Sequence, residues 1–334
     1  MVGSPFHVPP AVALGRSTGT GALKMRNLLV LLLLYVLSVG PAAAAYVEVT
    51  LLGTGTPRPD SQRFGAATVV EAGGRYFLFD AGRGVTVRLH QAGIPLERVR
   101  RVFLTHLHSD HITGLADLWL TGWIWRRPGA LELYGPSGVG DLARGLESGH
   151  GADIGYRTGY TGLDEAAARI RATEVEGEGV VYDEDGVRIV AFLVDHGPVK
   201  PAYGYRLEFR DRVVVISGDT TYSPNLVEHA RGADLLVHEI AAADDGLLAR
   251  NPRLARVMAY HTSPQQMRRV LADARPRAAV LNHVLELGVG ARQALEALLR
   301  DHPDTLHMGQ DLLRIGVGED IRVTPPPGSA ASHP

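Results

Sequence analysis

The chain of 334 residues is 45% hydrophobic, enough to bury a sizeable core in one large domain or in two fused halves. A formal charge of −2 gives no sign of a polyanionic partner, and the absence of cysteine excludes disulfides and thiolate ligands. Any bound metal must then rest on His and Asp side chains.

Residues 1–45 read as a leader ending in an export signal. Lys24 and Arg26 give a basic flank, residues 28–39 are almost wholly apolar, and Gly40-Pro41 precedes the small-residue run Ala42 to Ala45. The apolar run is shorter than the roughly 20 residues that cross a bilayer. A cleaved signal peptide and a periplasmic or secreted protein, with no membrane span after cleavage, are therefore expected, with a retained N-terminal anchor as the alternative. Met1 and Met25 are both possible starts. Residues 46–52 predict a strand that ends in Gly53-Thr54-Gly55-Thr56-Pro57. No helix with a Lys-Ser or Lys-Thr pair follows, so this turn is not a P-loop. Residues 67–71 and 75–80 flank Ala72-Gly73-Gly74 as a hairpin.

The next apolar run, Val102-Phe103-Leu104, reads as a buried strand, and at its exit stands Thr105-His106-Leu107-His108-Ser109-Asp110-His111. Neutral imidazole nitrogens and a carboxylate are donors that a borderline divalent cation accepts, and a loop leaving a strand can aim them at one point. Four such donors exceed what one ion takes from a single loop. The spacing suggests two metals, with His106 and His108 on one and Asp110 and His111 on the other. The bland alternative is a solvated loop rich in histidine.

A helix over 113–125 then carries all three tryptophans, Trp119, Trp123 and Trp125. Core packing is the default for that spacing, and Trp123 or Trp125 is a candidate wall for an apolar pocket. After a strand over 131–134, the stretch 148–185 is acidic: Asp153, Asp164, Glu165, Glu174, Glu176, Glu178, Asp183, Glu184 and Asp185 face only Arg157, Arg169 and Arg171. Such a segment repels a phosphate backbone. Two hairpins follow over 179–194 and 203–217. His196 and Asp219 stand at strand exits behind them, as does His283 later, and Lys200 and Tyr203 lie close after His196 as candidate contacts to an anionic substrate. A strand over 233–237 leads into His238-Glu239-Ile240-Ala241, and Tyr260-His261-Thr262-Ser263-Pro264 opens a helix over 265–274. The helix 291–299 and a strand over 311–317 close the domain. His90, His150, His229, His302 and His307 have no such context and read as surface or core residues.

The His106-x-His108-x-Asp110-His111 pattern resembles the signature of the metallo-β-lactamase superfamily. That resemblance implies an αββα sandwich, one hydrolase domain over 46–323 with a tail over 324–334, and a dinuclear site at the sheet edges. It also implies the remaining ligands: His106, His108 and His196 on one ion, Asp110, His111 and His283 on the other, and Asp219 bridging both. Asp80 matches a buried Asp of the family that fixes a ligand imidazole. The expected cofactors are two divalent ions, zinc first and manganese or iron as alternatives. In the ribonuclease Z-like branch a Glu orients a His that protonates the leaving group, and Glu239 and His261 match that pair. Asp110 would steady the attacking hydroxide.

The substrate expected first is a sulfate or phosphate ester. Residues 118–123, 194–206 and 260–262 resemble exported arylsulfatases of this fold. A ribonuclease Z-like phosphodiesterase is the alternative. The export signal, the acidic stretch and Val284-Leu285-Glu286-Leu287, where that branch usually carries Ser-x-Arg-Tyr, argue against it. A small-molecule ester rather than nucleic acid is thus the expected partner, and a homodimer is allowed. A β-lactamase or thioesterase is disfavoured because Asp219 rather than a Cys bridges and because the Glu239 and His261 pair resembles the nuclease-like branch; a lactonase is likewise expected less. A protein that only binds metal is disfavoured by the full ligand set.

Overall fold

A computed structural model describes residues 46–328. The leader with its signal-peptide reading, and the last six residues of the expected tail, lie outside them. Among the described residues no helix is long and apolar enough to cross a membrane.

Strands β1 (Val47–Gly53), β2 (Ala67–Ala72), β3 (Arg75–Phe79), β4 (Val99–Phe103), β5 (Leu131–Gly135) and β6 (Ile170–Glu174) build the first sheet. Strands β7 (Gly179–Glu184), β8 (Val187–Leu193), β9 (Tyr203–Phe209), β10 (Arg212–Ile216), β11 (Leu235–Ala243), β12 (Ala278–Leu287) and β13 (Leu306–Met308) build the second. The chain then returns to the first with β14 (Arg314–Val317) and β15 (Ile321–Thr324), giving the orders β15-β14-β1-β2-β3-β4-β5-β6 and β13-β12-β11-β10-β9-β8-β7.

Both sheets are mixed. Hairpins make the antiparallel parts, and helical crossovers make the parallel runs β3-β4-β5-β6 and β10-β11-β12-β13. The helices of the first half are α1 (Val85–Gln91), α2 (Ser109–Ile112), α3 (Leu115–Ile124), α4 (Val139–Gly149) and α5 (Gly151–Thr161). Those of the second are α6 (Pro224–Ala230), α7 (Asp245–Arg250), α8 (Pro252–Met258), α9 (Pro264–Ala274) and α10 (Val289–Asp301).

Period-two alternation explains why the sheets stack. Phe77 and Phe79 of β3 join Tyr203, Tyr205 and Leu207 of β9 and Leu235 and Val237 of β11 in the core between the sheets. Tyr76 and Leu78 face the opposite way, onto a second core with Leu89 and Trp119 from α1 and α3. Leu236 and Ile240 of β11 make a third with Leu226, Val270 and Leu295 from α6, α9 and α10. Strands covered on both faces need apolar runs rather than alternation, which β11 has over 235–237 and 240–243 and β12 over 278–281, interrupted at His238-Glu239 and Asn282-His283 where the site lies. The result is the αββα sandwich expected from the sequence.

Three local differences matter for the site. The helix expected over 113–125 is α3, and a separate turn α2 precedes it; Gly114 between them lies where a Cβ would sit 2.2 Å from the Gly82 carbonyl oxygen. The acidic stretch holds α5 and β6 where no element was expected. The loop between β1 and β2 is braced by Asp311, which accepts from Thr54 N at 2.9 Å, Thr54 Oγ1 at 2.8 Å, Phe64 N at 2.8 Å and Arg88 Nε at 3.0 Å.

Candidate metal centre

The C-terminal ends of parallel strands β3, β4, β10, β11 and β12 meet at one rim of the sandwich. Such ends leave unpaired backbone and free side-chain directions, and chemistry collects there. The loop after β4 is fixed before it reaches its histidines. Asp80 accepts from Thr105 N at 2.8 Å, and Thr105 O accepts from Tyr203 N at 2.9 Å, so this loop is tied to both sheets. His108 then stands as N-cap of α2, whose first turn carries Asp110 and His111 inward.

The later residues arrive by turns that need special backbone. Gly218 has φ 61°, and a Cβ there would lie 2.6 Å from the Tyr203 carbonyl oxygen, so glycine is required for the turn that aims Asp219. His283 has φ 43° and is the extra residue of a bulge in β12, since Glu239 pairs with Asn282 while Ile240 pairs with Val284. A bulge re-aims a side chain, and here it brings His283 to the same side as its neighbour Asn282.

All seven residues expected as ligands come together. His106, His108, His196 and Asp219 form one group whose donor atoms lie within 4.8 Å of one another, and Asp110, His111 and His283 form another. Asp219 Oδ2 is the common point: 3.4 Å from His111 Nε2, 3.5 Å from His283 Nε2, 3.8 Å from His196 Nε2 and 3.9 Å from His106 Nε2. His106 Nε2 and His108 Nδ1 approach to 2.9 Å, and His283 Nε2 lies 3.1 Å from Asp110 Oδ2.

Partners behind the rings set their tautomers. His111 Nδ1 donates to Asp80 Oδ2 at 2.8 Å and His196 Nδ1 to the Tyr260 carbonyl at 3.2 Å, which leaves each Nε2 lone pair facing the cluster. His111 Nε2 is buried and has no hydrogen-bond partner. Lone pairs and carboxylates that converge in a buried space, with ring protons turned outward, fit divalent cations and little else.

The electrostatics without a bound cation divide the imidazoles: burial works against a charged His111, but Asp219 and Asp80 outweigh it and raise this residue well above the ordinary histidine range. Burial pushes His106 well below the ordinary histidine range, and burial with neighbouring imidazoles brings His196 down to about 4, so both are neutral donors at neutral pH. Burial works against a charged Asp219, yet His283, His111 and His106 outweigh it and hold its carboxyl well below the usual range. His261 behaves oppositely. Burial disfavours its charge, but Glu239, whose Oε1 lies 3.3 Å from His261 Nδ1, and Asp219 overcome this and push it up to about 9.

The pocket residues fare differently. Trp123 is 1% exposed and donates its indole N–H to the Asp164 carbonyl at 2.8 Å, within a small cluster with Ala167 and Ala168, so it does not wall a pocket. Tyr203 is 1% exposed and donates its hydroxyl to the Val175 carbonyl at 2.9 Å; it belongs to the core between the sheets. Both were expected near substrate because an aromatic with a polar tip fits either role, and here a backbone carbonyl satisfies the tip. Trp125 is 60% exposed at the far end of α3, about 15 Å from its start by the rise of a ten-residue helix. Lys200 is exposed on the loop after His196, and it is the sole lysine among the described residues. Sequence reading missed the Tyr260 carbonyl behind His196 and Thr105 behind His106, although each adjoins a residue it had chosen.

Two facing mixed sheets, helices on both outer faces and an imidazole–carboxylate cluster at one rim define a hydrolase of the metallo-β-lactamase fold. The Beta-lactamase superfamily domain model matches residues 75–284, and the chain belongs to that family. Ribonuclease Z of Mycobacterium sp. (strain KMS) is 38% identical over 283 residues, covering 84% of this chain and 99% of the relative. Ribonuclease Z of Mycobacterium marinum is 36% identical over 278 residues, covering 81% and 99%. Among solved structures, the short form of human tRNase Z superimposes with a TM-score of 0.61 at 23% identity, covering 81% of this chain and 99% of that one. The metallo-β-lactamase-fold protein YhfI from Bacillus subtilis gives 0.62 at 18% identity, covering 80% and 98%. These two likenesses speak for the fold alone. The curated relatives' name concerns RNA and runs against the expectation that nucleic acid is not the partner.

Proposed function

We propose that the protein is a metal-dependent phosphodiesterase of the ribonuclease Z type, acting on RNA. The observation that carries this reading is the Glu239–His261 pair on the same rim as the metal cluster, in a chain 38% identical to a ribonuclease Z along nearly its whole length. This moves the reading from the sulfate ester expected first to the phosphodiester held as its alternative.

His106, His108 and His196 would hold one divalent ion, Asp110, His111 and His283 the other, with Asp219 between them; zinc suits the nitrogen-rich donor set best. When bound, two such ions lower the pKa of a water and offset charge on the non-bridging oxygens of the ester. Asp110, beside His283 in the cluster, offers a carboxylate oxygen that orients the attacking water. His261, protonated at neutral pH and steered by Glu239, donates its proton to the departing oxygen. That donor discriminates between substrates. An alkoxide from a ribose is a poor leaving group and needs the proton, whereas a phenolate, whose parent has a pKa near 10, leaves with far less help.

The acidic stretch is a weaker barrier to RNA than its composition suggests. Asp153 pairs with Arg157, Glu165 with Arg169, Asp183 with Arg188, Glu184 with Arg101 and Asp185 with Arg75. Three of those arginines lie outside the stretch, so counting charges along the chain overstates its field.

The test is incubation of metal-loaded protein with a 3′-extended precursor tRNA and with a short RNA of the same 3′ sequence. Cleavage of at least one, abolished by chelation, is expected. Failure on both, beside hydrolysis of an aryl sulfate, would overturn the reading. A second expectation concerns Asp80, which fixes both His111 and Thr105. Asp80→Ala should weaken metal binding by about 10- to 100-fold, measured by competition with a chromogenic chelator. An unchanged affinity would remove Asp80 from the site.

A further inference from the structure

Behind the cluster, between the sheets, lies a cavity that gives the centre of a water-sized sphere about 20 Å³ of room. Its polar wall includes Thr68, Glu239 and Asn282 together with His111, Asp219 and His283 of the cluster, set among apolar Phe79, Ile216 and Val237. Glu239 of β11 and Asn282 of β12 are paired in the parallel register, so their side chains are lateral neighbours on the inner face.

Each of the two has an atom left over. Glu239 Oε1 accepts from Thr262 N at 2.8 Å and Thr220 N at 3.2 Å, while Oε2 is buried without a hydrogen-bond partner. Asn282 Nδ2 donates to Thr68 Oγ1 at 3.3 Å, while Oδ1 is buried without one. Rotating the amide would keep the Thr68 contact with the hydroxyl as donor and turn the NH2 in place of the oxygen toward the same space, so a polar atom faces the cavity either way. The residues are 2% and 8% exposed, so bulk solvent supplies nothing. Buried polar atoms of this kind are rarely left single.

We infer that one water molecule is bound in this cavity as a fixed part of the site. It donates one proton to Glu239 Oε2 and the other to Asn282 Oδ1, and its lone pairs face the Thr68 hydroxyl. The room exceeds the roughly 10–15 Å³ that a single water needs, and two or three polar partners are what a buried water takes. Cations belong to His111, Asp219 and His283 on the cluster side of this cavity; the one carboxylate and one amide oxygen left over fall short of the six to eight oxygens a hard cation gathers. The water anchors the far side of the Glu239 carboxylate and so holds Oε1 toward His261. Asn282 is thereby a positioning residue, acting through the water and Glu239, whichever ester is cleaved.

A crystal structure of the metal-loaded protein, at a resolution that shows ordered water, tests this without any turnover. Expected is a peak within hydrogen-bonding distance of both Glu239 and Asn282, with no anomalous signal at the metal edge. No peak, or an anomalous one, overturns the inference. Asn282→Leu keeps the volume and removes the partner. It should retain metal, lose the peak and lower kcat on a substrate with a poor leaving group by about tenfold with KM little changed. The same substitution in a His261→Ala background should add almost nothing, because the group it positions is gone. An equal loss in both backgrounds would make Asn282 a packing residue and overturn its positioning role.

Discussion

Asp219→Ala should strip the protein of metal and lower kcat/KM by at least about 10⁴-fold, of the order seen when a group essential to the chemistry is removed. Its Oδ2 lies between 3.4 and 3.9 Å from His106, His111, His196, His261 and His283. Those rings are pressed together in a space where Asp219 and Asp110 are the only carboxylates of the ligand set. Removing Asp219 leaves the imidazoles without the charge that draws a cation between them, and no neighbouring acid is placed to substitute. Metal analysis should fall from two ions per chain to fewer than one, with the circular dichroism of the fold retained, since the sandwich is held by three apolar cores away from the rim. Two ions per chain with activity within tenfold of wild type would show that Asp219 does not join them.

His261→Ala should separate chemistry from metal binding. It too stands among candidate ligands, grouped with Asp219 and His283, but Glu239 faces it, and seven other residues already serve the two ions. Metal content should therefore stay at the wild-type value while kcat falls by about 10²- to 10⁴-fold on an alkoxide leaving group. On a nitrophenolate leaving group the loss should be much smaller, because that anion departs without a proton. An equal loss on both leaving groups, or a loss of metal, would instead make His261 a ligand.

What could be read from the chain before folding follows the range of the forces involved. The loop 105–111 announces itself because its donors are contiguous behind an apolar strand, and the αββα layering was implied by the family resemblance this loop carries, with alternation in a strand such as β9 in keeping with it. His283 is less transparent. Strict alternation would send it to the face opposite Asn282, and only the bulge and its positive φ bring both inward. Trp123 and Tyr203 were misplaced because their polar tips are satisfied by the carbonyls of Asp164 and Val175, 41 and 28 residues away in sequence. The acidic stretch misled for the same reason, since Arg75 and Arg101 reach it from strands of the first sheet. Helices α7 and α8 left no pattern to find, for neither buries a residue.

The most direct measurement is a comparison of kcat/KM for bis(p-nitrophenyl) phosphate and p-nitrophenyl sulfate on protein carrying a known number of zinc ions. Turnover of the phosphodiester well above that of the sulfate, lost on chelation and restored at two zinc ions per chain, is the expected result. Hydrolysis of the sulfate at full metal loading, with the phosphodiester left intact, would contradict it.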